Sequence, residues 1–156
     1  MRALQRRAPS MFVESLLAYV HISAVLGLAV FLTAKVALMR PEVLAERPPL
    51  LARLLRLDNW CWASFAAVAL SGLARVLLGV KGPHWYLSNP LLWLKIALFA
   101  VMVLMGLPAR RALRAWCAVD RVPPADSLRA QRRWLMWQAH IMVLLPLFGV
   151  LLAYGY

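Results

Sequence analysis

Acidic residues are scarce in this chain: six aspartates and glutamates stand against eighteen lysines and arginines, and the four types together make up only 15% of 156 residues. Soluble globular chains carry roughly 25% charged residues to cover their surface, so a soluble domain of this length is excluded. Six acids are also too few for a cation-coordinating path, and no two are spaced as a catalytic pair. Cysteine is limited to Cys61 and Cys117, which lack metal-type spacing and form no disulfide framework. There is no glycine-rich phosphate loop and no Ser/His/Asp order that a hydrolase mechanism would need.

What is abundant is apolar. Hydrophobic residues are 63% of the chain and the mean hydropathy is +0.70, which excludes disorder. A helix crossing the roughly 30 Å hydrocarbon core needs about 20 mostly apolar residues. Four such windows occur, at about 11–39, 60–80, 90–108 and 134–154. Backbone groups in lipid must bond within their own segment, and the alternation of a β-barrel is missing, so each window predicts a helix. The fold class is therefore an all-α, integral membrane four-helix bundle, with residues 1–156 as a single membrane domain. The first window is too long for a signal-peptide core and counts as a span. Asn89 followed by Pro90 marks a helix start, and Pro108 with Arg110 and Arg111 marks an exit. Residues 48–56 extend span two, or form a short interfacial helix. Tryptophans and tyrosines, among them Trp60, Trp62, Trp85, Tyr86, Trp93, Trp134, Trp137, Tyr154 and Tyr156, fall near the window ends as headgroup anchors do.

The net charge of +12 reports orientation before it reports any partner, and no nucleic acid is expected. Eleven of the eighteen cations lie in the loops joining spans one to two and three to four; four (Arg2, Arg6, Arg7 and Lys81) lie on the other side. The positive-inside rule puts the two loops in the cytoplasm and both termini outside, periplasmic or extracellular, in a multi-pass protein of the bacterial inner membrane.

The remaining three cations, Lys35, Arg75 and Lys95, fall inside the spans. An ionisable group at mid-span costs roughly 2.5–3.5 kcal/mol on insertion scales. Glu14, His21 and Lys35 are spaced by seven and fourteen residues with Leu28 completing the series; seven residues bring a helix within about 20° of two full turns, so all four share a face. By depth, Glu14, His21, Arg75 and Lys95 share the outer half of the bilayer, and His84 sits in the short outer segment above them. Each cation has an alternative role as an interfacial anchor that snorkels to headgroups, and Glu14 as a solvated first-turn residue. His21 is too deep and too short for that. His140 lies in the inner half, so the two histidines make a poor axial pair for one haem. The expected site is His21 as the metal ligand of a single haem b, with Arg75 and Lys95 meeting its propionates and Glu14 beside them. The same cations equally suit a quinone headgroup, an anionic substrate or a phospholipid phosphate. Met102 and Met105 are a close helical pair whose thioethers suit copper(I), or simply pack. Ser23 and Gly27 form a small-xxx-small pair that suits a homodimer.

Five sequence segments carry a resemblance: 14–21, 71–75 with 79–83, 86–95, and Leu144-Leu145-Pro146-Leu147. Through them the chain resembles an uncharacterised bacterial family of small four-span membrane proteins. More distantly it is similar to the J-type protoporphyrinogen oxidase and copper-resistance protein D families. The former has a first-span haem-linked histidine and a third-span lysine shortly after a proline, which His21 and Pro90 with Lys95 match. This chain has Met105-Gly106 where that oxidase family has Tyr-His, and lacks its fourth-span Asn-Glu-x-Pro. The resemblance thus implies haem binding and a membrane oxidoreductase connection, without porphyrinogen oxidation. The competing expectation is a non-catalytic transporter subunit or assembly factor whose basic residues hold lipid.

Overall fold

Long apolar runs in lipid fold as helices because no water is present to satisfy an open backbone. The computed structural model describes residues 11–47, 49–119 and 123–154. Arg2, Arg6, Arg7, Pro48, Arg121 and Tyr156, which entered the orientation and boundary expectations, lie outside the described residues. Four long helices, α1 (Met11–Leu38), α3 (Leu50–Leu78), α5 (Pro90–Val119) and α6 (Ala125–Tyr154), are each long and apolar enough to cross a membrane. Two short helices, α2 (Pro41–Glu46) and α4 (Gly82–Ser88), bridge α1 to α3 and α3 to α5. The protein is an all-α, membrane-spanning four-helix bundle, with no strand among the described residues.

Three of the four helices outrun the hydrophobic windows. A window measures the thickness of lipid, whereas the backbone ladder continues as long as the φ/ψ geometry and a packed face persist. α3 begins at Leu50, so residues 50–56 continue span two. α5 passes through Pro108 to Val119; proline is tolerated here because it lies on an exposed position and frees only the carbonyl one turn earlier. α6 starts at Ala125 and likewise carries Pro146 in its interior. The start of α5 is built as the sequence implies: Asn89 Oδ1 accepts the Leu91 N–H at 2.9 Å, with Pro90 in the first turn.

α1 packs along α3 and α5 along α6, while α3 against α5 and α1 against α6 close the ring over shorter stretches. The buried stripes share one repeat. On α3 it runs Leu51, Leu54, Asp58, Cys61, Phe65, Val68; on α6, Leu128, Leu135, Gln138, Met142, Leu145, Leu152. On α1 it runs His21, Leu28, Leu32, Lys35, the face drawn from the seven-residue spacing. A repeat averaging 3.5 residues is that of knobs-into-holes seams between nearly aligned helices. Only 17–28% of residues in each span's most apolar window are buried. The rest are partly buried or exposed, and in lipid packing rests on van der Waals fit and interhelical hydrogen bonds rather than on expulsion of water. Gly27 supplies such a fit within the chain: a Cβ there would stand 3.7 Å from Ser64 Oγ on α3.

Of the expected aromatic anchors, Trp60, Trp93, Trp134, Trp137 and Tyr154 are exposed, but Tyr86 is buried. It packs its ring against Gly79, where a Cβ would approach it to 3.3 Å.

Candidate functional site

The antiparallel order brings the start of α1, the end of α3, the start of α5 and the end of α6 to one end of the bundle, and the four expected site residues lie there. Ser71 is one turn before Arg75 on α3, on the stripe facing α1. Its Oγ stands 2.6 Å from the Ala67 carbonyl and 2.9 Å from His21 Nδ1. A carbonyl can only accept, so the single hydroxyl proton goes to Ala67 and the hydroxyl receives its hydrogen bond from the His21 Nδ1–H. In the neutral ring this leaves Nε2 with its lone pair, and no described residue bonds to it. Gly72 is what lets the ring lie there, since a Cβ at that position would meet His21 Cε1 at 3.3 Å.

Arg75 Nη2 pairs with Glu14 Oε1 at 3.5 Å, both side chains 27% exposed. The second carboxylate oxygen of Glu14 accepts the Val80 backbone N–H at 3.1 Å, holding the turn after α3. Arg75 Nε is buried and has no partner among the described residues. Lys95 reaches across from α5 to α6, where a Cβ on Gly149 would stand 3.1 Å from its Nζ. Among the described residues the Lys95 ammonium has neither a hydrogen bond nor an ion pair. Arg75 and Lys95 both stand within Coulombic reach of His21. On α4, outside the spans, burial pushes the Tyr86 phenol above its ordinary pKa, opposed by Arg75 and reinforced by Glu14. Lys81 closes this end over α6, donating to the Ala153 carbonyl at 3.0 Å and lying 3.9 Å from the Trp85 ring centroid.

His84 and His140 do not join this group. His84 is exposed on α4. His140 is exposed on α6, where its Nδ1 lies 2.6 Å from the Met136 carbonyl of its own helix. It is nine residues from Gly149, about 14 Å at 1.5 Å per residue.

A second polar cluster occupies the other end of the bundle, and sequence reasoning missed most of it. Lys35 is not an interfacial anchor: it is 1% exposed and donates to Asp58 Oδ1, itself completely buried. Arg110, placed in a loop by the sequence reading, lies within α5 and bonds Asp58 Oδ2 at 3.1 Å, with its guanidinium 5.0 Å from the Trp62 ring centroid. One carboxylate thus ties α1, α3 and α5 together. Nearby Gln138 Nε2 donates to the Met102 carbonyl at 2.7 Å, over Gly106, while its Oε1 is buried without a partner among the described residues. The overlooked signal was the 3–4 spacing of α3, which continues back from Cys61 to Asp58 in step with the apolar stripe. The two cysteines are free, and no metal-type cluster of His, Cys, Asp or Glu occurs among the described residues.

No curated protein and no solved structure matches the chain. A family of predicted membrane proteins matches from within the first turn of α1 to the final residue, taking in all four long helices and both polar clusters: over residues 13–156, the chain belongs to the predicted membrane protein family DUF2214.

Proposed function

We propose that the cluster of His21, Arg75, Lys95 and Glu14 receives the acidic head of a ligand that resides in the bilayer. The observation that carries this is Lys95, an ammonium held among the helices without an anion, while the nearby carboxylate, Glu14, is committed to Arg75 and Val80. An uncompensated cation inside a span is costly unless something anionic meets it, and Arg75 Nε offers a second unused donor.

One such ligand is haem b. A histidine that serves as a metal ligand ordinarily has its other ring nitrogen fixed by a hydrogen bond, and the Nδ1–H of His21 is fixed in this way by Ser71. His21 Nε2 would hold the iron, and Arg75 and Lys95 would hold the propionates. When bound, the haem would supply one-electron redox chemistry. The similarity of His21 and of Pro90 with Lys95 to the J-type oxidase family supports the same assignment. Protein purified in detergent after expression with ample haem is expected to show a Soret band that His21→Ala abolishes; colourless protein under those conditions overturns haem binding.

The second reading is a non-catalytic transporter subunit or assembly factor that holds a lipid. It is favoured by an apolar groove between α1 and α6 whose lining begins at Val25, one turn inward of His21. In both readings the protein sits in a bacterial inner membrane with the His21 end and both termini outside.

A further inference from the structure

The acidic-head reading leaves open which head and what it is attached to, and two independent features of the structure narrow both. The first is the balance of donors and acceptors. Lys95 Nζ and Arg75 Nε are donors without partners, whereas His21 Nε2 is a lone pair, because Ser71 takes the Nδ1–H. The head that complements two cationic donors and one acceptor is an anion that also carries a hydroxyl proton. An ionised carboxylate has acceptors only, and so does a phosphodiester. A phosphate monoester, with a second pKa near 6, has charged oxygens for the two cations and a P–OH for the imidazole.

The second feature is the groove. α1 and α6 close the ring over a short stretch and leave between them an apolar cleft of about 410 Å³, walled by Val25, Ala29 and Leu32 on one side and Met142, Val143 and Pro146 on the other. Val25 is one turn beyond His21, and Pro146 is three residues from Gly149, against which the Lys95 ammonium lies. The cleft therefore begins about one helical turn inward of His21, near the middle of α1, and runs on toward the Lys35 end. From Val25 to Thr33 it follows α1 for about 12 Å, a narrow slot between one pair of helices that suits one hydrocarbon chain.

We infer that this protein binds a single-chain lipid phosphate monoester, its head on Lys95, Arg75 and His21 Nε2 and its tail in the α1–α6 cleft. The inference rests on the acidic-head reading above and names the ligand class. The two cations neutralise the phosphate, the imidazole accepts its proton, and the cleft accounts for the lipid tail.

The test uses the full chain purified in detergent and radiolabelled hexadecyl phosphate as the probe, with hexadecanol, palmitate, inorganic phosphate and haemin as competitors. Saturable binding of hexadecyl phosphate is expected, with hexadecanol and inorganic phosphate competing at least tenfold less well and palmitate about tenfold less well. Lys95→Met should weaken binding at least tenfold. That variant removes an uncompensated charge from a span, so its folding is not at risk. Val143→Trp, which fills the cleft from a lipid-facing position, should weaken hexadecyl phosphate while leaving the elution profile of the protein unchanged. Equal competition by hexadecanol, or wild-type affinity in Lys95→Met, overturns the inference. If haemin or palmitate binds in a Lys95-dependent way and hexadecyl phosphate does not, the inference fails and the acidic-head reading survives. If none of the acidic amphiphiles depends on Lys95, both fail.

Discussion

Asp58 takes part in two ion pairs at once. It is fully buried, it is the carboxylate partner of both Lys35 and Arg110, and it joins three helices. Removing one member of a buried ion pair leaves an uncompensated charge and costs about 3–5 kcal/mol; here two cations lose their partner together. Asp58→Asn is therefore expected to lower stability by at least that amount, read as a fall in the denaturation midpoint of the detergent-solubilised protein. A change under about 1 kcal/mol would show that the cations find other partners. Replacing Lys35 and Asp58 together by Met and Leu should recover part of the loss, since a hydrophobic substitute avoids the desolvation cost. At the other end His21 owes its orientation to Ser71 and its space to Gly72. His21, Arg75, Lys95 and Glu14 were legible in the sequence because ionisable groups stand out in apolar runs. Ser71 and Gly72 were not legible as their supports, because small residues are ordinary in such runs and only the facing helix gives them a role.

At the level of the elements, helix existence followed from hydropathy and helix ends followed from local chemistry where that chemistry was strong. The Asn89 cap is the clearest instance, with its side-chain oxygen on the Leu91 amide. Asn89→Ala should cost about 1 kcal/mol, seen as a small drop in the same unfolding midpoint with the α-helical signal otherwise retained; no measurable drop would mean that lipid or water replaces the cap. Pro108 misled as a boundary because its missing N–H matters only if the helix cannot spare one bond, and α5 has packed residues on both sides of it, Gly106 and Ala109 before Leu113. The short helices α2 and α4 lay below the reach of hydropathy windows. α4 has consequences for the site all the same, since it carries Tyr86 against Gly79, and Lys81 just before it closes over the last carbonyls of α6.

For the whole molecule, the start of α1 and the end of α6 lie at the same end of the four-helix bundle, and the proposed orientation, with that end outside, rests on the distribution of arginines. A reporter active only outside the cytoplasm, fused after residue 156, is expected to be active, and the same reporter inserted at residue 121 silent; the reverse pattern would place the His21 cluster at the cytoplasmic face. The sequence by itself determined the class of the protein, the number of spans and the charged residues within their apolar windows, though not Asp58 and Arg110 beyond them, because these depend on transfer of each segment from water to lipid and so on composition alone. It also determined that Glu14, His21, Leu28 and Lys35 share a face, because helical periodicity is local. Only the tertiary structure decided which helices are neighbours. That choice gives Lys35 its carboxylate and His21 its hydroxyl, and leaves Lys95 without an anion. Partners of this kind lie 23 and 50 residues apart in the chain, and they meet through side-chain fit between helices, which a transfer energy summed along one segment does not contain.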